Sequence, residues 1–275
     1  MDILTYLADN TLFLDGAMGS LLFARGMSRD ERSESWDLTH PEVVRDIHRS
    51  YFDAGSNLVL TNTFGANGLY HDDAELERIV TAAVGIARSA AEDSGAPQEK
   101  FVALDIGPCG KLIDPLGDLP FEAAVELFAH VVRIGAAAGA DLVFIETMYD
   151  LTEARAALTA AKENCSLPVF VSNTYGQAGT LMTGDGPEQV VSALEALGAD
   201  AVGMNCSLGA EGLAPLAEKY MTLTKLPVIF KPNAGLPEIV DGKAVYKTTP
   251  VEFAARTAEM VRRGVKCVGD RKSVV

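Results

Sequence analysis

The chain has 275 residues, of which 48% are hydrophobic, and its formal net charge is −15. This length can bury a large core in one domain or two. No stretch reaches the roughly 18 apolar residues of a membrane span, and binding to nucleic acid or anionic membranes requires a basic surface, so neither is expected as a partner. Residues 1–5 lack the basic segment of a signal peptide, which predicts a cytoplasmic location.

Eight short hydrophobic runs are predicted to be β-strands, with helical patterns between them. Most are continuously apolar, as is typical of parallel strands that are covered on both faces. Eight such units favour a single α/β domain over residues 1–275, a (β/α)8 TIM barrel, ahead of an open doubly wound sheet. No G-x-G-x-x-G sequence follows the first run, which weakens the dinucleotide-binding alternative. The runs are 12–15, 57–61, 101–106, 142–146, 169–173, 201–205, 228–231 and 265–268.

Proline, glycine and capping residues mark the ends of the helical patterns. Pro41 is predicted to begin an amphipathic helix. Asp150 with Glu153 has the spacing of a capping box, in which each side chain bonds to the other residue's backbone. Asp241 with Gly242 predicts the turn of a small hairpin between the seventh and eighth barrel strands.

No helical pattern follows the eighth run. The sequence therefore predicts a barrel whose final helix, after strand eight, is missing. The outer face of that strand is expected to be exposed or covered by a partner, which makes a homo-oligomer a hypothesis. The short segment 2–10 is expected to cover the bottom of the barrel.

Polar residues follow the predicted strands at the carboxyl end of the barrel, where the active sites of TIM barrels lie. Asp15 and Glu146 end two apolar strands, and each is expected to meet a cation because an unpaired buried carboxylate is costly. That cation comes either from a ligand or from Lys231. Gly16 and Gly19 would let backbone amides approach an anionic group closely. This combination suits an amino acid, whose ammonium group would face the carboxylates.

A thiol and an amide end the sixth predicted strand, at Asn205 and Cys206. A thiolate ligand on zinc can hold a substrate thiol and lower its pKa, which generates a nucleophile at neutral pH. One cysteine cannot hold zinc, and the other three are far apart in the sequence, at Cys109, Cys165 and Cys267. All four are expected to be free thiols rather than disulfides. Taken alone, Cys206 fits a buried core thiol better than a metal ligand.

Six stretches at these strand ends together resemble the homocysteine S-methyltransferases. The resemblance is closest to the homocysteine-binding barrel module of cobalamin-dependent methionine synthase, and the family also includes betaine–homocysteine methyltransferase. The stretches follow in order over nearly the whole chain. They are Leu14-Asp15-Gly16-Ala17-Met18-Gly19, Thr61-Asn62-Thr63-Phe64-Gly65-Ala66-Asn67, Ile106-Gly107-Pro108, Ile145-Glu146-Thr147, Val202-Gly203-Met204-Asn205-Cys206 and Lys231-Pro232-Asn233-Ala234-Gly235.

The resemblance implies a zinc-dependent barrel that transfers a methyl group to the sulfur of L-homocysteine, giving methionine. Two carboxylates would bind the substrate ammonium, loop amides would bind its carboxylate, and Cys206 would be the catalytic zinc ligand. The methyl donor would be methylcobalamin on a separate methyl-corrinoid protein, or a small onium compound such as betaine or S-methylmethionine. The substrate-binding residues that the resemblance implies are Asp15, Gly16, Ala17, Met18, Glu146 and Asn205.

The end of the chain departs from this family. The family closes its last strand with Gly-Gly-Cys-Cys-Gly, whose two cysteines complete the zinc site. With Gly269 placed on the first glycine, Arg271 and Lys272 stand where the cysteines belong. A charged cationic side chain repels Zn²⁺ and has no lone pair to donate. The zinc-ligand segment is therefore predicted to be absent or altered. Cys109, after the third strand, is either a further ligand or a packed loop thiol.

Three functions stay open on these residues. A homocysteine methyltransferase with an incomplete zinc site and impaired activity is favoured, because every element of the rim except the last is in place. A variant methyltransferase with another thiol acceptor is the second. A non-catalytic barrel that binds an amino acid, or that docks onto a corrinoid protein, is the third.

Overall fold

The computed structural model describes residues 1–235, 238–240, 243–245 and 248–271, with the backbone alone for 238–240 and 243–245. Eight parallel strands form a nearly closed barrel in the order β1-β10-β7-β6-β5-β4-β3-β2. A parallel bridge between Leu14 and Leu58 joins the two ends of this sheet. The predicted α/β TIM barrel is therefore confirmed. The strands are β1 (Leu12–Phe13), β2 (Leu58–Leu60), β3 (Phe101–Ile106), β4 (Leu142–Met148), β5 (Val169–Asn173), β6 (Ala201–Gly209), β7 (Val228–Asn233), the hairpin strands β8 (Glu238–Val240) and β9 (Lys243–Val245), and β10 (Cys267–Val268).

Helices cover the outside of the barrel between successive strands. Helix α4 begins at Pro41 as predicted, since proline is well suited to the first helical position. Among the described helices, none has the length and apolarity to cross a membrane. The helices are α1 (Ile3–Asp9), α2 (Met18–Ala24), a 3-10 turn (Ser33–Ser35), α3 (Trp36–Thr39), α4 (Pro41–Asp53), α5 (Asp73–Asp93), α6 (Phe121–Ala137), α7 (Leu151–Asn164), α8 (Pro187–Ala196), α9 (Ala210–Leu223) and α10 (Pro250–Arg263).

The core has an inner and an outer layer. Inward-facing strand residues such as Phe144, Phe170 and Ile229 fill the barrel, and α1 adds Ile3 and Leu7 beneath them. The predicted cover at the bottom of the barrel is therefore confirmed. The outer layer packs the helices onto the strands. This closed core holds the strand ends at the opposite, carboxyl face in fixed positions.

Of two local predictions, the hairpin is confirmed and the capping box at the start of α7 is wrong. Strands β8 and β9 pair antiparallel, which confirms the hairpin, although its predicted turn at Asp241 and Gly242 lies outside the described residues. The capping box at Asp150 and Glu153 is wrong. Asp150 caps the backbone N–H of Thr152 at 2.7 Å, whereas Glu153 accepts a hydrogen bond from the backbone N–H of Cys109 at 2.7 Å. The loop that follows β3 therefore binds the Glu153 side chain, which the local pattern assigned to the start of α7.

The last strand is buried, although no helix follows it within the described chain up to residue 271. A groove of about 920 Å³ lies there between α4 and α10. The expectation that the outer face of this strand is exposed is nevertheless wrong, because Cys267 and Val268 are 0% and 2% exposed. Cys267 belongs to the inner layer and Val268 to the outer one. The exposure falls on Phe13 of the neighbouring strand β1, which is 50% exposed.

His48 of α4 is expected to make the stability of the barrel depend on pH. It is fully buried, neither ring nitrogen has a hydrogen-bond partner among the described residues, and burial lowers the pKa of the imidazole from 6.5 to about 4. The unfolded chain therefore binds a proton more readily, so His48 lowers the free energy of unfolding as the pH falls from 6.5 towards 4. Urea unfolding should show a free energy of unfolding that is about 2 kcal/mol lower at pH 5 than at pH 7.5 because of His48. The substitution His48→Leu should remove this difference. Equal pH dependence in both proteins would contradict this.

Candidate active site at the carboxyl end of the barrel

A buried ion-pair network lies at the carboxyl end of the barrel. The Nζ atom of Lys231 is 3.0 Å from Oδ1 of Asp15 and 3.8 Å from Oε2 of Glu146. All three side chains are at least 96% buried. The second carboxylate oxygen of Asp15 accepts a hydrogen bond from the backbone N–H of Leu60 at 2.8 Å. The internal cation that the sequence left open for these carboxylates is therefore Lys231.

The carboxylates keep Lys231 charged. Burial by itself lowers the pKa of this amine, but the negative charges of Asp15 and Glu146 outweigh that effect and raise its pKa above the ordinary value. A buried cation with two carboxylate partners is strongly held, because removing either partner leaves an uncompensated charge. Strands β1, β4 and β7 are therefore tied together through one ammonium group.

Arg271 supplies a second cation to the same network. Its guanidinium forms an ion pair with Glu146, lies near the sulfur of Cys206, and is 5.2 Å from the centre of the Phe64 ring. Its backbone N–H donates to the carbonyl of Pro232 at 3.3 Å. Burial lowers the pKa of the guanidinium, but the neighbouring negative groups, Glu146 first, raise it above its ordinary value. The side chain therefore lies inside the mouth of the barrel as a fixed positive charge.

A third carboxyl group, at Asp105, was not singled out from the sequence as a site residue. Asp105 lies near the end of β3 and is 4% exposed, and its Oδ1 atom has no hydrogen-bond partner among the described residues. Burial, and next the charge of Glu146, raise the pKa of this carboxyl well above its usual range. Its position inside an apolar strand and directly before Ile106-Gly107-Pro108 was the available sequence signal. That signal does not show which way the side chain points.

Asn205 fixes the backbone around Glu146 and Cys206. Its side-chain oxygen accepts from the backbone N–H of Thr147 at 2.9 Å and from the hydroxyl of Ser172 at 2.5 Å, and its amide donates to the hydroxyl of Thr147 at 2.7 Å. Thr147 and Cys206 have φ angles of 61° and 60°, which is uncommon for residues other than glycine. The strand pairing is irregular after Asn205 and around Thr147. Such irregularities change the direction in which side chains point. Here they occur next to Glu146 and Cys206, whose side chains lie at the mouth of the barrel.

A cavity of about 190 Å³ opens at this rim. Four of the six predicted substrate-binding residues line it, namely Asp15, Gly16, Ala17 and Met18. Glu146, Asn205 and Cys206 do not line it, but Glu146 and Cys206 lie beside Arg271, which does. The lining residues are Asp15, Gly16, Ala17, Met18, Gly19, Ser20, Ser33, Leu60, Thr61, Asn62, Phe64, Asp105 and Arg271.

The described residues do not fit a zinc ion. No group of three or more His, Cys, Asp or Glu side chains in the described part of the chain could hold a metal. Arg271 lies beside Cys206, where the resemblance places a second thiolate, and Lys272 is outside the described residues. Burial raises the pKa of the Cys109 thiol to about 12, and Cys109 contacts the carbonyl of Lys111 as a packed loop residue. Cys267 is buried within β10, and burial raises its pKa as well.

The fold and the rim define a TIM barrel whose mouth carries a glycine loop, buried carboxylates and a thiol. A family model described as homocysteine S-methyltransferase matches residues 12–270, and this chain belongs to that family. The chain is 30% identical to methionine synthase of Mycobacterium tuberculosis and 31% identical to that of Mycobacterium leprae, each over 98% of this chain. It spans about a quarter, 24%, of the length of these relatives.

A solved structure supports the fold. The metallated form of the homocysteine methyltransferase MmuM from Escherichia coli superposes with a TM-score of 0.81 and 23% identity, over 98% of this chain and 95% of that one. At this level of identity the likeness concerns the arrangement of strands and helices. The barrel is therefore shared.

Asn205→Ala is expected to destabilise the rim. The substitution leaves the part-buried N–H of Thr147 and the buried hydroxyl of Ser172 without their acceptor, and the buried group alone costs about 1–3 kcal/mol. Urea unfolding should show that the substitution lowers the free energy of unfolding by at least this amount. Asn10→Ala is the control, because Asn10 is exposed and its side chain bonds only to one carbonyl at the end of α1. An equally small effect of both substitutions would contradict the bracing role of Asn205.

Proposed function

We propose that this chain is the methyl-acceptor barrel of a homocysteine S-methyltransferase, which binds L-homocysteine at its rim and presents the sulfur for methylation to methionine. The observation that carries the proposal is the cavity that joins a glycine loop to a cluster of buried carboxyl groups. An amino acid is a zwitterion, and this cavity offers a separate wall for each of its charges. The names of the relatives, methionine synthase and homocysteine methyltransferase, support the same acceptor.

The parts of the substrate divide between the two walls. Its carboxylate would lie against the backbone amides of Gly16, Ala17 and Met18, where the absence of a side chain at position 16 allows close approach. Its ammonium would lie against the acidic cluster to which Asp15 and Glu146 belong. The sulfur would then extend towards Cys206 and the guanidinium of Arg271.

Methyl transfer needs the thiolate form of the acceptor. The thiol proton passes to water, the sulfur forms a bond to the methyl carbon, and the bond between that carbon and the donor breaks with its electron pair going to the donor. The residues of this chain can favour the thiolate electrostatically, because the buried guanidinium of Arg271 places a positive charge beside Cys206. Zinc would activate the thiol more strongly, but the described ligand set does not fit it. Activity is therefore proposed to be impaired.

The donor is left open by this site. Methylcobalamin on a separate methyl-corrinoid protein and a small onium compound such as betaine or S-methylmethionine both deliver a methyl group with a good leaving group. The relatives named methionine synthase are about four times longer than this chain, so a donor-carrying partner is compatible with the match.

A second candidate function is favoured by Arg271 in particular. A barrel that binds the amino acid without activating its thiol would show the same cavity and would tolerate a guanidinium beside Cys206. The two functions differ in one observable, the formation of methionine, and they share the binding of homocysteine.

Binding and turnover test the proposal directly. Calorimetric titration should show L-homocysteine binding more tightly than L-methionine, and methionine should form slowly with at least one donor among methylcobalamin, betaine and S-methylmethionine. Cys206→Ser should lower that rate about tenfold, the effect of a ~1.4 kcal/mol transition-state contact, whereas Cys165→Ser, at the end of α7, should not. Binding without turnover would select the second candidate, and no binding of homocysteine would exclude both.

Zinc content is expected to be low. After dialysis against a zinc-containing buffer and removal of free metal, the chain should retain well below one zinc ion per molecule by elemental analysis, since the cation of Arg271 lies beside Cys206. The double substitution Arg271→Cys with Lys272→Cys should raise the content to about one, the stoichiometry of a three-thiolate site. One tightly held zinc ion in the unaltered chain would contradict the expectation.

A further inference from the structure

We propose that Asp105 is the residue that binds the ammonium group of the amino-acid substrate. The inference rests on the proposed function and names a specificity-determining residue for it. Four features of the described residues carry it: the partners already taken by the other carboxylates, the position of Asp105 on the cavity, the way its backbone is held, and its unused hydrogen-bonding capacity.

The other two carboxylates of the mouth already have cationic partners. Asp15 pairs with Lys231, and Glu146 pairs with both Lys231 and Arg271. Asp105 has no ion pair within 4 Å and no side-chain hydrogen bond among the described residues. Among the described residues, two cations therefore face three carboxyl groups, and the third group is the one left for a ligand. An incoming ammonium would have to displace a buried partner at Asp15 or Glu146, but not at Asp105.

Asp105 and the glycine loop are walls of the same cavity. The lining includes Gly16, Ala17 and Met18 as well as Asp105, whereas Glu146 is absent from it. The α-carboxylate and α-ammonium of an amino acid are attached to one carbon atom, so both charges must find partners within one small space. Asp105 meets that condition without any movement of Lys231 or Arg271.

The backbone of Asp105 is held from both sides. Its N–H donates to the hydroxyl of Thr61 at 3.0 Å, and its carbonyl accepts from the hydroxyl of Thr63 at 2.7 Å. The two hydroxyls are themselves 2.7 Å apart, and both threonines are 1% exposed. A binding group that is fixed before the ligand arrives loses little entropy on binding.

An unpaired carboxyl that is 4% exposed is costly to the empty protein. Burial raises its pKa, so the group tends to hold its proton while the cavity is empty. When a substrate ammonium binds, the carboxyl would release its proton to water, and the ammonium would supply the missing positive charge and complete the hydrogen bonding of the carboxylate. The cavity is therefore expected to prefer ligands that carry a primary ammonium group next to a carboxylate.

The experiment compares L-homocysteine with 4-mercaptobutanoic acid, which lacks only the amino group, by calorimetric titration of the full chain. The unaltered protein should bind homocysteine about tenfold or more tightly than the analogue, as a charged hydrogen bond predicts. Asp105→Asn and Asp105→Ser should lose most of this discrimination while binding the analogue equally well. Thermal unfolding of each variant shows that it is folded.

Glu153→Gln is the matched control. Glu153 is another carboxyl that is 1% exposed and has a pKa raised by burial, but it bonds to the backbone of Cys109 and does not line the cavity. This control should keep the discrimination of the unaltered protein, and its loss there would overturn the assignment.

The remaining outcomes separate the inference from the function on which it rests. If the unaltered protein and both Asp105 variants discriminate equally, or if Glu146→Gln alone removes the discrimination, Asp105 is not the ammonium ligand, and the homocysteine site stands. If the unaltered protein binds neither compound, the proposed function fails and the inference fails with it.

Discussion

The buried ammonium group of Lys231 is the interaction on which the rest of the site depends. It joins the carboxylates of Asp15 and Glu146, which come from opposite sides of the barrel, in an environment where an unpaired charge would be several kcal/mol too costly. The strand ends that carry these three groups must therefore stay together, and whatever else enters the mouth must respect their charges. The closed barrel makes this possible, because parallel strands deliver all their carboxyl ends to one face.

Arg271 shows how one side chain can redirect such a network. Its guanidinium forms an ion pair with Glu146 and lies beside Cys206. It thereby contributes a positive charge where the family resemblance places a metal ion. The site remains electrostatically similar, since a cation still faces a thiol and a carboxylate. Its chemistry differs, because a guanidinium has no open coordination position for a substrate sulfur and serves only as a hydrogen-bond donor and a charge. Under the proposed function, the binding of homocysteine and the activation of its thiol would be separate properties of this fold.

Irregular backbone at the ends of β4 and β6 is what brings these groups to the mouth. Thr147 and Cys206 adopt positive φ angles, and the side chain of Asn205 holds Thr147 through two hydrogen bonds and is itself held by a third from Ser172. A strand that continued regularly would alternate its side chains between the core and the helices, so neighbouring residues could not both face the mouth of the barrel. Asn205 thus acts on the site through the backbone as well as by any contact with substrate.

The sequence by itself determined the barrel and the identity of most rim groups, because continuous apolar runs, helix-starting prolines and polar strand ends are local signals. Only the tertiary structure decided the partners. Glu153 accepts a hydrogen bond from the backbone of Cys109 instead of capping its own helix. Lys231 lies across the barrel from Asp15 and is its cationic partner. The sequence indicates only that Asp105 belongs to a buried strand. The structure shows that it lines the cavity and that its Oδ1 atom has no hydrogen-bond partner among the described residues. Pairing between residues that are distant in the chain depends on three-dimensional proximity and burial, and neither is written in the local pattern.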